Sequence, residues 1–108
     1  MLFSEVSEGF HAYGVGKHRH MAELDQEFSR AAGQEVIVTF TPHLVPMNRG
    51  ILSTIYVRTE PGTTEAQFAE VYEAAYGDAT FVRLVGASLP EIKHVAHTNF
   101  CDIGWRVD

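Results

Sequence analysis

The chain has 108 residues, 45% of them hydrophobic and 11% aromatic, and a formal net charge of −6. A chain of this size is one domain that buries roughly 60–70% of its unfolded surface. The negative balance argues against a nucleic-acid surface, no apolar run nears the ~20 residues of a membrane span, and one cysteine excludes an intrachain disulfide.

Residues 1–16 give weak signals; 10–15 reads as a short strand or an extended approach to the basic cluster at 16–20. There Gly16-Lys17-His18-Arg19-His20 sets two imidazoles and two cations at the mouth of a helix predicted over 20–32. Met21, Leu24, Phe28 and Ala31 form its apolar stripe, and Glu23, Asp25, Gln26 and Glu27 cover the other face. Gly33 sits where a left-handed residue ends a helix.

Residues 36–40 read as a strand with Val36, Val38 and Phe40 on one face. A loop, 41–50, comes next, with two prolines and Gly50 for a sharp exit. Ile51–Thr59 alternates as a strand. Glu60-Pro61-Gly62 is a turn, and Thr64-Glu65-Ala66-Gln67 has capping-box form, opening a helix that stops at Gly77. Further strands are predicted over 80–85, 92–98 and 100–107, with a break near Thr98-Asn99. The order predicts an α+β layer: two helices on one face of a mostly antiparallel sheet of four to six strands. The sheet's other face is then free to meet another domain or subunit. The chain stops inside a strand pattern, Trp105-Arg106-Val107-Asp108, which reads as an excised domain.

The helix mouth carries the chemistry. Unsatisfied N–H groups and the dipole favour anions there, and an imidazole beside them suits general acid/base work. A solvated polar helix start is the plainer reading. Zinc is a third, although no paired ligand spacing is visible. Cys101 is either a nucleophile or, alone in a strand, a small buried apolar residue. Asn48 and Arg49 either meet an anionic ligand or decorate a crossover loop. Thr98-Asn99 lines a cleft or makes a turn. The stripe of Phe68, Tyr72 and Tyr76 reads as core.

In combination these residues resemble a known family. Tyr13…Gly16-Lys17-His18-Arg19-His20-x-x-Glu23-Leu24, then Phe40-Thr41-Pro42-His43-Leu44-Val45-Pro46-Met47-Asn48-Arg49-Gly50-Ile51-Leu52, then Thr98-Asn99-Phe100-Cys101, look like the N-acetyl-γ-glutamyl-phosphate reductases. The resemblance runs from about Tyr13 to Cys101. It implies a cytoplasmic two-domain enzyme of arginine biosynthesis with the fold of the glyceraldehyde-3-phosphate dehydrogenases. Such enzymes reduce N-acetyl-γ-glutamyl phosphate to N-acetylglutamate semialdehyde, release phosphate and consume NADPH. A cysteine thiolate forms a thioester, hydride cleaves it, and a histidine of the second domain handles protons.

By that resemblance residues 1–108 are a single substrate-side domain. No strand followed by G-x-G-x-x-G is present for a dinucleotide, so NADP is not expected to bind here. The family's nucleophile lies upstream, so Cys101 is not its match. His18 matches the acid/base; His20 is the second candidate, in an orienting part. Arg19 and Arg49 would engage the substrate's carboxylate or phosphate, with Tyr13 and Asn99 in the cleft. No metal is implied, and the parent is expected to be a homo-oligomer. Two departures stand out. Met21-Ala22 follows His-Arg-His where the family has Thr-Pro, and His97-Thr98-Asn99 replaces Gly-Ser-Asn. They leave open the aminoadipyl analogue of lysine synthesis. The rival class is a stand-alone binding or dimerisation module without activity.

Overall fold

The computed structural model describes residues 11–12 and 20–108. The chain divides into two units, Met1–Asn48 and Arg49–Asp108.

In the first unit, β1 (His11–Ala12) pairs antiparallel with β2 (His43–Leu44), His11 opposite Leu44 and Ala12 opposite His43. Helix α1 is His20–Ala32, with Glu23 in its first turn and Arg30 in its last, both on the side the dipole favours. It ends where Gly33 takes φ 70°, a left-handed backbone that glycine adopts without a Cβ clash. Met21 and Leu24 are half-buried and Phe28 is exposed, so the stripe is shallow. Residues 36–40 show the predicted alternation, with Val36, Val38 and Phe40 half-buried and Ile37 and Thr39 exposed, but they join no ladder among the described residues.

The second unit is built on a parallel pair, β3 (Val82–Gly86) and β4 (Cys101–Gly104). Val82 faces Cys101, Arg83 faces Asp102, Leu84 faces Ile103, and an irregularity after Leu84 brings Gly86 opposite Gly104. Parallel strands need a crossover of about a dozen residues or more. Here 87–100 supplies it. Helix α2 (Glu65–Tyr76) packs against β3. It opens on the predicted capping box: Gln67 N–H donates to Thr64 Oγ1 at 3.3 Å, and Thr64 N–H donates to Gln67 Oε1 at 2.8 Å. Its aromatic stripe stacks on the end of the ladder, with the Tyr72 and Trp105 rings 4.9 Å apart.

The structure corrects the expected sheet. There are two sheets of two strands each among the described residues, one antiparallel and one parallel, in place of a mostly antiparallel sheet of four to six strands. Residues 51–59 form no strand and are exposed throughout. Alternation encodes which side chains share a face; it does not supply the neighbour whose N–H and C=O groups make a ladder. The stretch 92–98 is not a strand either. It is a 3-10 turn, Ile92–His94, closed by Val95 and Ala96 N–H groups on Ile92 C=O at 3.0 and 2.9 Å. Ile92, Val95 and Ala96 are half-buried at i, i+3 and i+4, a helical spacing that a period-2 reading misses. The predicted exit at Gly50 is present at φ 98°.

Candidate functional site

Three of the six site residues expected from the sequence are described: His20, Arg49 and Asn99. Tyr13, His18 and Arg19 lie outside the described residues, as does Lys17.

His20 is the first residue of α1 and is exposed. With Glu23, Leu24, Glu27 and Phe40 it lines a depression of about 290 Å³. Helical spacing puts His20, Glu23 and Glu27 on one flank, one turn after another. Glu27 also pairs with Arg30. Two carboxylates beside the imidazole make this depression unfavourable to a phosphate or carboxylate. A proton-handling or orienting role for His20 is compatible with that charge.

What holds α1 in place is not visible in its apolar pattern. The pattern puts Asp25 on the solvent face; it is half-buried, and its Oδ1 accepts from Val38 N–H at 2.9 Å. One turn on, Ser29 Oγ accepts from Val36 N–H at 2.8 Å and donates to Val36 C=O at 3.1 Å. Alternate residues of 36–38 thus bond to helix side chains. The available signal is two short polar side chains one turn apart beside the stripe, a type that readily bonds backbone groups.

In the second unit Arg49 is exposed at its start, and Asn99 is exposed between the 3-10 turn and β4. Thr98 makes the turn: its hydroxyl donates to Val95 C=O at 2.6 Å and accepts from Phe100 N–H at 3.1 Å. Its side chain is committed to backbone, which favours the turn over the cleft reading. His97 sits at φ 63°, in the left-handed region. That explains why a glycine suits this position, and a histidine there carries modest strain. Cys101 is exposed, which corrects the buried apolar reading; its N–H donates to Phe81 C=O at 2.7 Å. A second depression, lined by Thr59, Thr63, Gln67, Phe68 and Val71, holds no titratable group.

The family model of the semialdehyde dehydrogenase dimerisation domain matches residues 1–108. The chain belongs to the semialdehyde dehydrogenase dimerisation-domain family. Among similar proteins are the N-acetyl-γ-glutamyl-phosphate reductases of Afipia carboxidovorans, 59% identical over 109 residues, and Syntrophobacter fumaroxidans, 54% identical over 106. A third, from Akkermansia muciniphila, is 50% identical over 109 residues. These alignments cover 98–100% of this chain and 31% of each relative. This dimerisation domain therefore spans about a third of the length of the curated relatives it matches.

No helix among the described residues is long and apolar enough to cross a membrane.

Proposed function

We propose that residues 1–108 are a single domain, the substrate-side and dimerisation domain of an N-acetyl-γ-glutamyl-phosphate reductase. The observation that carries this reading is identity of 50–59% to reductases of that name across essentially the whole chain. The intact enzyme reduces N-acetyl-γ-glutamyl phosphate to the semialdehyde with NADPH, in the cytoplasm, for arginine synthesis. The relatives' names favour the acetylglutamyl substrate over its aminoadipyl analogue. The dinucleotide and the thiol nucleophile belong to the nucleotide-binding part of the protein.

His18 is the acid/base. It would take the thiol proton so that the thiolate can attack the acyl carbon and expel phosphate, then protonate the thiohemiacetal oxygen and take that proton back as the aldehyde leaves the sulfur. His20, at the first position of α1, orients it. Arg19 and Arg49 hold the substrate's anionic groups, where the guanidinium fork matches carboxylate or phosphate. By the same resemblance Tyr13 and Asn99 are further substrate-binding residues. The exposed apolar run from Ile51 to Val57 is the surface through which two copies associate into a homo-oligomer.

The decisive assay is phosphate-dependent reduction of NADP by the intact protein acting on N-acetylglutamate semialdehyde, the reverse reaction. Turnover is expected, with a fall of about 10²-fold in His18→Ala. An intact protein that leaves this semialdehyde untouched would refute the assignment, and an unchanged His18→Ala rate would remove His18 from its role. The isolated 108 residues are expected to show neither NADPH binding nor turnover.

A further inference from the structure

We infer that Asp25 and Ser29 are positioning residues: they lock α1 to the 36–38 backbone and so fix where the histidine-bearing start of the helix stands. The inference rests on the proposed function, since it concerns the same histidines.

Helix α1 has no buried residue, and its widest apolar side chain, Phe28, is exposed. Packing of that kind restrains a helix weakly against sliding or rotation, because apolar contact is non-directional. Hydrogen bonds are directional. Asp25 Oδ1 to Val38 N–H, at 2.9 Å, is assisted by the carboxylate charge. The Ser29 hydroxyl engages both backbone groups of Val36, at 2.8 and 3.1 Å. Together they fix both the height and the rotation of α1 against one extended segment. His20 is the helix's first residue, and His18 lies two residues before it in sequence. A shift of about 1 Å at a reacting group costs on the order of 10²-fold in rate.

The test uses the intact enzyme. Asp25→Ala removes the acceptor, and Asp25→Asn keeps an oxygen at the same position without the charge. Turnover is expected to fall about 10–100-fold in Asp25→Ala, with KM for NADPH within about 2-fold of wild type. Asp25→Asn is expected to recover to within about 3-fold of wild type, since an amide oxygen still accepts from Val38 N–H. A purely structural role would lower the amount of folded enzyme and leave turnover per folded enzyme unchanged. Asp25→Ala turnover within about 2-fold of wild type would overturn the inference, as would Asp25→Asn no better than Asp25→Ala. If Asp25→Ala yields no folded enzyme, Ser29→Ala against Ser29→Thr decides on the same criterion, threonine keeping the hydroxyl. His18→Ala in the same assay separates the two claims. If it is inert and Asp25→Ala is fully active, the positioning inference falls alone; if His18→Ala is fully active, the acid/base reading falls.

Discussion

Residues 51–57 and 82–86 are both rich in β-branched and aliphatic residues, yet they end in opposite environments. The 82–86 stretch is half-buried along its whole length, laddered to 101–104 and covered by α2. The 51–57 stretch is exposed at every residue, Ile51 to 87% and Tyr56 to 92%, and joins no ladder among the described residues. The first has its partner within the chain. The second is apolar surface of the kind that marks an interaction site. A strand pattern therefore specifies a surface in need of a neighbour, and among the described residues only one of these two surfaces meets it.

That contrast makes unequal demands on substitutions, and the largest expected effect is in the ladder. Arg83 and Asp102 face each other across β3 and β4 and are joined twice, Nε to Oδ1 at 2.6 Å and Nη2 to Oδ2 at 3.0 Å. Arg83 also donates to His94 C=O at 3.0 Å and lies over the Phe100 ring at 4.4 Å. The Asp102 side chain is 5% exposed and that of Arg83 42%. Arg83→Ala leaves a carboxylate with little access to water and should cost about 2–3 kcal/mol. Asp102→Ala frees a guanidinium that water can reach and should cost about 1 kcal/mol. Urea unfolding of both variants checks the order; a larger loss in Asp102→Ala would break the argument from desolvation.

Gly104→Ala comes next. A Cβ there would lie 2.8 Å from Gly86 O and 3.0 Å from Pro90 Cδ, and the carbonyl belongs to the ladder itself. Overpacking of this kind should cost about 2 kcal/mol in the same unfolding measurement. Thr64→Ala should cost about 1 kcal/mol, because it removes the hydroxyl that accepts from Gln67 N–H at the start of α2. An effect near zero would mean that α2 is held by its packing on β3 and Trp105 alone.

These contrasts also mark what the sequence could tell. Both helices are legible end to end because their signals are local: a capping box at Thr64, a left-handed glycine at Gly33, apolar spacing between. The faces of 36–40 are legible for the same reason. Whether 36–40 or 51–59 gains a ladder depends on a remote neighbour, which no local pattern names. At 92–98 the failure is one of period, since Ile92, Val95 and Ala96 spell a helical turn. Motif order points to His20, Arg49 and Asn99, and the same order names Tyr13, His18 and Arg19. The tie from Asp25 to Val38 is not legible: a carboxylate in a helix looks solvated until the chain brings a backbone N–H to it.

The smallest expected effect on stability is the most informative about 51–57. Ile55 and Tyr56 are exposed to 72% and 92%, and in the alternation read from the sequence they fall on opposite faces. Ile55→Asp and Tyr56→Asp should each change unfolding free energy by less than about 0.5 kcal/mol, as for other surface substitutions. Measured by sedimentation over a concentration series, at least one of them should weaken self-association by about 10-fold, or ~1.4 kcal/mol. The one that does identifies the face turned to the second copy: Ile51, Ile55 and Val57, or Leu52 and Tyr56. A stability loss as large as that of Arg83→Ala would mean that 51–57 is packed inside its own chain, and the contrast with 82–86 would collapse. Unchanged association in both variants would keep the contrast but move the interface elsewhere, because an aspartate at the centre of an apolar contact cannot be desolvated without loss of affinity.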